Sequence, residues 1–246
     1  MRSNRLSLNH SKTKFMLVHS RKSYLNLNLY INDNKIDQIR SYEYLGVTID
    51  DKLNWRHQIK DVETKLSQAC GAISRIRPFV DQECLRTLYF GHAYSSLQYA
   101  ILAWGSASLS NLNRVNILHN RLLRLMSIHG PLKDLQFNLN ELYANLSLLK
   151  FSDVYKLETA KFMHRCINGN LPNSFDSFFL QKPRHYNLRS LSKNPYRTQK
   201  FNTLAYKRWL TNYGPTVWEE LSDDIKKLPY PCLKRNLRNN LLKNYS

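Results

Sequence analysis

Several things are scarce or missing in this chain of 246 residues, and each absence excludes something. No run of about 18 apolar residues occurs, so no bilayer-spanning helix is predicted. The opening stretch MRSNRLSLNHSKTKF holds no apolar core of signal-peptide length, so it carries no secretory address. Glycine and proline number only seven and eight, which excludes a fibrous or linker-rich protein. Internal repeats and low-complexity segments are missing too. The four cysteines (Cys70, Cys84, Cys166 and Cys232) are far apart with no CxxC pair, and Cys232 has no partner at ligand spacing. That excludes the common zinc knuckles and fingers and predicts reduced thiols in an intracellular protein, with nucleus and cytoplasm both open.

Acid is scarce relative to base. Lys and Arg number 37 against 18 Asp and Glu, which gives a formal charge of +19 and a pI near 9.9. The excess is concentrated. Lys182 to Arg208 holds eight basic residues and no acid, and Cys84 to Lys133 holds five and again no acid. Acid-free basic tracts within foldable sequence suit a polyanion, most simply a phosphate backbone; the plainer alternative is a solvated surface. The first tract is interleaved with Tyr186, Tyr196, Phe201, Tyr206 and Trp209, and rings beside cations fit single-stranded or distorted nucleic acid.

The content is 42% hydrophobic and 12% aromatic, enough to fill a core in one large domain or two modest ones. The first fifty residues read as β. Asn26 to Asp37 alternates and carries a turn signal at Asn32-Asp33-Asn34, predicting a hairpin with Leu25, Leu27, Leu29 and Ile31 on one face and Ile36 returning. Tyr42 to Ile49 reads as a third strand, with Gly46 allowing a bulge. The period then turns helical. Ile59, Val62, Leu66, Ala69, Ile73 and Ile76 mark a first helix ended by Pro78. A second is expected over Gln82–Trp104, with Leu85, Leu88, Tyr89, His92 and Leu97 near one face; a third, over Leu109–Ile128, has Leu112, Val115, Leu118, Leu122 and Leu125 as its stripe. Helices resume at Leu139–Ala144 and Phe151–Asn168. Residues 171–215 read as irregular, and two short amphipathic helices separated by Pro229 and Pro231 close the chain. The expected class is α+β: a small antiparallel β unit (1–52), a mainly helical part (53–170) and a basic aromatic segment with short helices (171–246).

The motif order Asn9-x-x-Lys12-Thr13, a hairpin, Tyr44-Leu45-Gly46-Val47, then Trp55-x-His57 resembles the C-terminal part of reverse transcriptases of non-LTR retrotransposons, the jockey-like LINE elements. LQYAILAWG (Leu97 to Gly105), HYNLRS (His185 to Ser190), GPTVWEELSDDIK (Gly214 to Lys226) and LKRNLRNNL (Leu233 to Leu241) continue the resemblance in the same order. It covers nearly the whole chain, although each motif is short. The resemblance implies late palm, thumb and C-terminal segment. The family's fingers and its metal-binding aspartate motifs would lie upstream, so Met1 is expected to be a truncation point or a gene-model start.

Nucleotidyl transfer needs two divalent ions about 4 Å apart, held by carboxylates from separate strands. Asp50-Asp51 follows an apolar strand, as such a pair would. It leads into a helix, however, where acids ordinarily face the positive end of the dipole. Asp223-Asp224, after Ser222, reads as a helix start. No metal or cofactor is therefore expected in this chain, and Mg2+ is implied only for the full-length family.

The resemblance implies roles for particular residues. Lys12 would approach the incoming triphosphate as a possible leaving-group proton donor, the alternative being a solvated lysine. Tyr44, Leu45 and Gly46 would grip the primer end, glycine letting the main chain come close to a sugar-phosphate; the alternative is an ordinary strand with a bulge. Trp55 and His57 would open a thumb helix, or else be a core tryptophan and a surface histidine, and His92 reads as a packing histidine. Arg114, Arg121 and Arg124 on one acid-free helix, and Arg184, His185, Tyr186, Arg189, Lys193 and Arg197 in the basic aromatic tract, are the candidate nucleic-acid contacts. The expected partners are RNA and DNA, as template–primer duplex or element RNA, with no membrane and no small-molecule substrate for the chain alone. The expected function is a non-polymerising fragment of an RNA-directed DNA polymerase, and the alternative is a stand-alone nucleic-acid-binding protein derived from such an element.

Overall fold

The computed structural model describes residues 8–19, 25–127, 138–175, 177–179, 196 and 204–245. They form the expected α+β arrangement, a small N-terminal β unit followed by helices, and the chain divides into two compact units, Met1–Asp61 and Val62–Ser246.

In the first unit, β1 (Lys14–Phe15) runs parallel to β3 (Asn34–Gln38), with Lys14 opposite Asp37 and Phe15 opposite Gln38. Between them in sequence lies β2 (Leu29–Ile31), antiparallel to β3, and the order is β1-β3-β2. Asn32 and Asp33 make the reversal with φ of 46° and 63°, the left-handed pair that a two-residue hairpin turn demands. The apolar face expected of this hairpin is only partly covered. Ile36 is buried, but Leu27 and Leu29 remain 44% and 45% exposed. Alternation decides which side chains share a face, whereas burial needs a covering layer. Among the described residues of this unit only Ile36, Val47 and Ile59 are buried apolar side chains.

The expected third strand is instead a second hairpin. β4 (Ser41–Tyr44) pairs with β5 (Val47–Asp50), Tyr44 opposite Val47 and Tyr42 opposite Ile49, around a Leu45-Gly46 turn. Both turn residues have positive φ, 50° and 74°, so glycine here reverses the chain rather than bulging it.

α1 (Arg56–Ile76) begins in the first unit and continues in the second. Val62, Leu66, Ala69, Cys70 and Ile73 form its buried stripe, and Ile76 stands 37% exposed where the helix ends. The second expected helix is interrupted. α2 (Gln82–Leu88), a π-helical stretch at Tyr89–Tyr94, α3 (Ser95–Gln98) and α4 (Ile101–Trp104) follow one another, with Ala100 left-handed at φ 50°. The sequence carries the cause. Leu85, Tyr89, Ala93, Leu97 and Ile101 recur at strict fours and are all buried, whereas an α-helix turns every 3.6 residues. Wider π turns keep a four-residue stripe facing one way. His92 falls off that stripe and is exposed, which corrects its expected packing role.

α5 (Leu109–Met126) buries its whole predicted stripe, capped by the Ser108 hydroxyl accepting from the Asn111 N–H. α6 (Leu139–Asn145) and α7 (Phe151–Ile167) follow, with Gly169 left-handed beyond the second. Within the stretch expected to be irregular, α8 (Leu204–Arg208) and α9 (Leu210–Glu220) are helices, and the structure leaves most of the remainder outside the described residues. α9 packs on α7 through Gly214, where a Cβ would come within 2.7 Å of the Met163 sulfur. The chain closes with α10 (Asp223–Lys226) and α11 (Tyr230–Lys243). Pro229 and Pro231 do not merely separate these two: they sit at the N-cap and first turn of α11, where a missing N–H costs nothing.

A polar chain runs through this apolar core. His119 of α5 is fully buried, with Tyr89 Oη 2.7 Å from Nε2 and Tyr143 Oη 3.2 Å from Nδ1. The Tyr143 hydroxyl donates to Asn120 Oδ1 at 2.8 Å, so its oxygen accepts from Nδ1–H, and Nε2 accepts from the Tyr89 hydroxyl. One tautomer of neutral imidazole serves both contacts, and burial pulls the pKa of His119 down from 6.5 to about 4. Above about pH 6.5 the ring is neutral folded or unfolded and nothing is lost. As pH falls from there toward about 4, the unfolded chain binds a proton that the folded chain refuses, and stability drops. Between about pH 7.5 and about pH 5 the loss from this group comes to about 2 kcal/mol. Urea unfolding at the two pH values should show it, and His119→Gln should abolish that part of the dependence.

Candidate nucleic-acid interface

The Asn9-x-x-Lys12-Thr13 motif makes a local turn. Asn9 Oδ1 accepts from the Ser11 hydroxyl (2.7 Å) and the Lys12 N–H (3.2 Å), while the Asn9 carbonyl accepts from the Thr13 hydroxyl (2.8 Å). The short side chains close the turn through their own backbone, and the Lys12 side chain is left exposed.

The β4–β5 hairpin brings Tyr44, Leu45 and Gly46 together at its tip. Tyr44 is 60% exposed and Leu45 73%, and Tyr42, two residues before on the same strand face, is 51% exposed. Sequence reasoning passed over Tyr42, although the i, i+2 pair of tyrosines before the turn was its signal. The hairpin is fastened just behind its tip. Thr48 donates its N–H to Gln58 Oε1 (2.8 Å) and its hydroxyl to Asp61 Oδ2 (3.1 Å), both on the first turns of α1. A leucine held at positive φ costs about 1 kcal/mol, and here it projects outward.

Asp50 and Asp51 are buried, at 4% and 9% exposure. Asp50 Oδ1 accepts from the N–H groups of Lys52 (3.0 Å) and Asn54 (3.1 Å), and Oδ2 accepts from that of Trp55 (2.8 Å). The carboxylate thus organises the loop ahead of α1, whose φ values at Leu53 and Trp55 are positive. Trp55 is half-buried and its carbonyl accepts the Ile59 N–H, while His57 is exposed. Asp223 and Asp224 occupy the first turn of α10, where the Ser222 side chain makes no cap bond. Among the described residues no group of three His, Cys, Asp or Glu side chains is placed to hold a metal ion.

In the second unit, Arg114, Arg121 and Arg124 share the exposed side of α5 with Ile117, itself 49% exposed. Spacings of seven and three keep them in one stripe about 15 Å long. Arg121 also acts on Cys70 of α1, whose thiol burial pushes up and this guanidinium pulls back. Arg184, His185, Tyr186, Arg189, Lys193 and Arg197 lie outside the described residues. No described helix is long and apolar enough to cross a membrane. Comparison of the chain with protein families, with curated proteins and with solved structures finds no match.

If Asp50 serves the loop, replacing one accepting oxygen by an amide should destabilise without touching metal affinity. Asp50→Asn should lower stability by about 1–3 kcal/mol in urea unfolding. Calorimetric titration with Mg2+ should be the same for both proteins.

Proposed function

We propose that the chain binds nucleic acid as the late-palm, thumb and C-terminal portion of a non-LTR retrotransposon reverse transcriptase, and that it does not polymerise by itself. The hairpin tip carries this reading: Tyr42, Tyr44 and Leu45 exposed around a Leu45-Gly46 reversal, fastened just behind it at Thr48 by Gln58 and Asp61. A rigid, exposed turn with a side-chain-free glycine lets main chain approach a sugar-phosphate, while the flanking rings offer apolar faces to sugars and bases. The Arg114–Arg121–Arg124 stripe adds charge for phosphates on an acid-free helix. Asp50, bound by three N–H groups, is committed to its loop and gives nucleotidyl transfer no ligand to share. Lys12, exposed on its turn, keeps a part beside triphosphate only in company with the family's aspartate motifs.

The filled core of Val62–Ser246 favours a second reading, in which the same surfaces serve an independent nucleic-acid-binding protein derived from such an element.

Anisotropy titration with a labelled RNA–DNA duplex tests the binding. Affinity should fall steeply between about 50 and 200 mM salt, and Arg114→Gln, Arg121→Gln and Arg124→Gln combined should lower the log–log slope by about 2 to 3. Binding indifferent to salt overturns the proposal. Primer extension on an RNA template with Mg2+ or Mn2+ should yield no product from this chain alone; template-dependent synthesis would overturn the second half of it.

A further inference from the structure

Two arginines meet at the turn that follows α6. Leu146 closes that helix and Ser147, at φ 50°, reverses the chain, and the carbonyls of both accept from arginine side chains. Arg86 of α2 donates from Nη1 to the Leu146 carbonyl, and Arg238 of α11 donates from Nη2 to the Ser147 carbonyl at 2.8 Å. Both side chains are half-buried, and the Arg86 guanidinium lies 5.3 Å over the Phe90 ring. Neither reaches a carboxylate among the described residues. Glu158, which with Arg238 acts on Tyr94, is already held by Lys161 through both oxygens and by Gln98, all at 2.7 Å.

Each guanidinium has five N–H donors and spends one on a carbonyl. Two cations sharing one turn therefore keep donors to spare, and the groups set against them are two carbonyl dipoles and the Phe90 ring rather than an acid. The chemistry that completes such a pair is a tetrahedral oxyanion, accepting from both planar forks at once. The neighbourhood selects among phosphates: from Leu228 to Ser246 the sequence has no acid, and Lys234 and Arg235 stand exposed on the same helix. An extended basic surroundings suits a chain of phosphates better than a single one.

We propose that Arg86 and Arg238 form a fork for a backbone phosphate of a polynucleotide, separate from the α5 stripe. This rests on the nucleic-acid reading above and adds a contact that neither motif nor composition assigned.

The full chain, wild type and Arg238→Gln, is titrated with a labelled single-stranded RNA across about 50 to 200 mM salt. Losing one phosphate contact lowers the slope by about 0.7, so wild type should lose roughly threefold more affinity than the variant over that range. In parallel, both proteins are melted in inorganic phosphate and in chloride at equal ionic strength. Phosphate should raise the wild-type midpoint further above its chloride value than it raises that of Arg238→Gln. RNA binding with an unchanged slope overturns the fork and leaves the proposed function standing. If wild type binds no RNA, the fork falls together with the proposed function, and a phosphate shift larger in wild type than in the variant then marks an inorganic-anion site only. Should Arg238→Gln not fold, Arg238→Lys keeps the charge while losing the planar fork. It should bind RNA several-fold more weakly, and equal binding overturns the inference.

Discussion

With 37 basic residues and 18 acidic ones, one-to-one pairing leaves more than half of the cations in this chain without a carboxylate of their own, and the interior is arranged around that shortage. Arg86, Arg165, Arg208 and Arg238 each donate to a backbone carbonyl at or just beyond the end of a helix: Leu146 and Ser147 after α6, Asn170 after α7, Gly105 after α4. Leu146 and Gly105 are the C-cap residues of their helices, and Ser147 and Asn170 follow their C-caps by one and two residues, so all four carbonyls lie near the negative end of a helix dipole. Helix ends thus stand in for acids. Lysine makes the ion pairs Lys156–Glu220, Lys161–Glu158 and Lys226–Asp223. The planar, many-donor side chain goes to the carbonyls, which suits its geometry.

The same economy governs the buried polar chain. Tyr89, His119, Tyr143 and Asn120 link α5, α6 and the π-helical stretch through neutral groups, each with a partner of matching polarity. A charged residue at that depth would need a counter-ion that the composition does not supply. Tyr245 extends the pattern from the end of the chain: its hydroxyl donates to Asp153 and accepts the Lys150 N–H, and its ring lies 4.6 Å beneath the Lys150 ammonium. Cations left over from these arrangements collect on outer helix faces. There they carry the functional reading: the α5 stripe, the exposed side of α11, and, on the other unit, a hairpin tip that offers rings instead of charge.

Much of this was legible beforehand. The stripes of α1 and α5, the Asn32-Asp33 reversal and the small β unit ahead of helices follow from residue periodicity and turn chemistry, which act within a few residues. The Leu45-Gly46 reversal was half legible: glycine announced a special backbone, but only the pairing of Tyr44 with Val47 decided between bulge and hairpin. The π-helical stretch also had its signal, in apolar residues at strict fours, and needed the packed core to give that spacing meaning. For Asp50 the sequence offered an acid before a helix. Its three N–H partners come from a loop with two left-handed residues, which no spacing announces.

What the sequence by itself determined is the local order of the elements, the faces they bury, and the surplus of positive charge that points to a polyanion. Only the tertiary structure decided which cations would be spent on carbonyls and which would remain available. Arg86 and Arg238 lie far apart along the chain and share no motif, yet they meet at one turn because α2, α6 and α11 belong to one compact unit. Periodicity is a property of neighbours in sequence; the meeting of two guanidinium groups at one helix end depends on how separate helices pack.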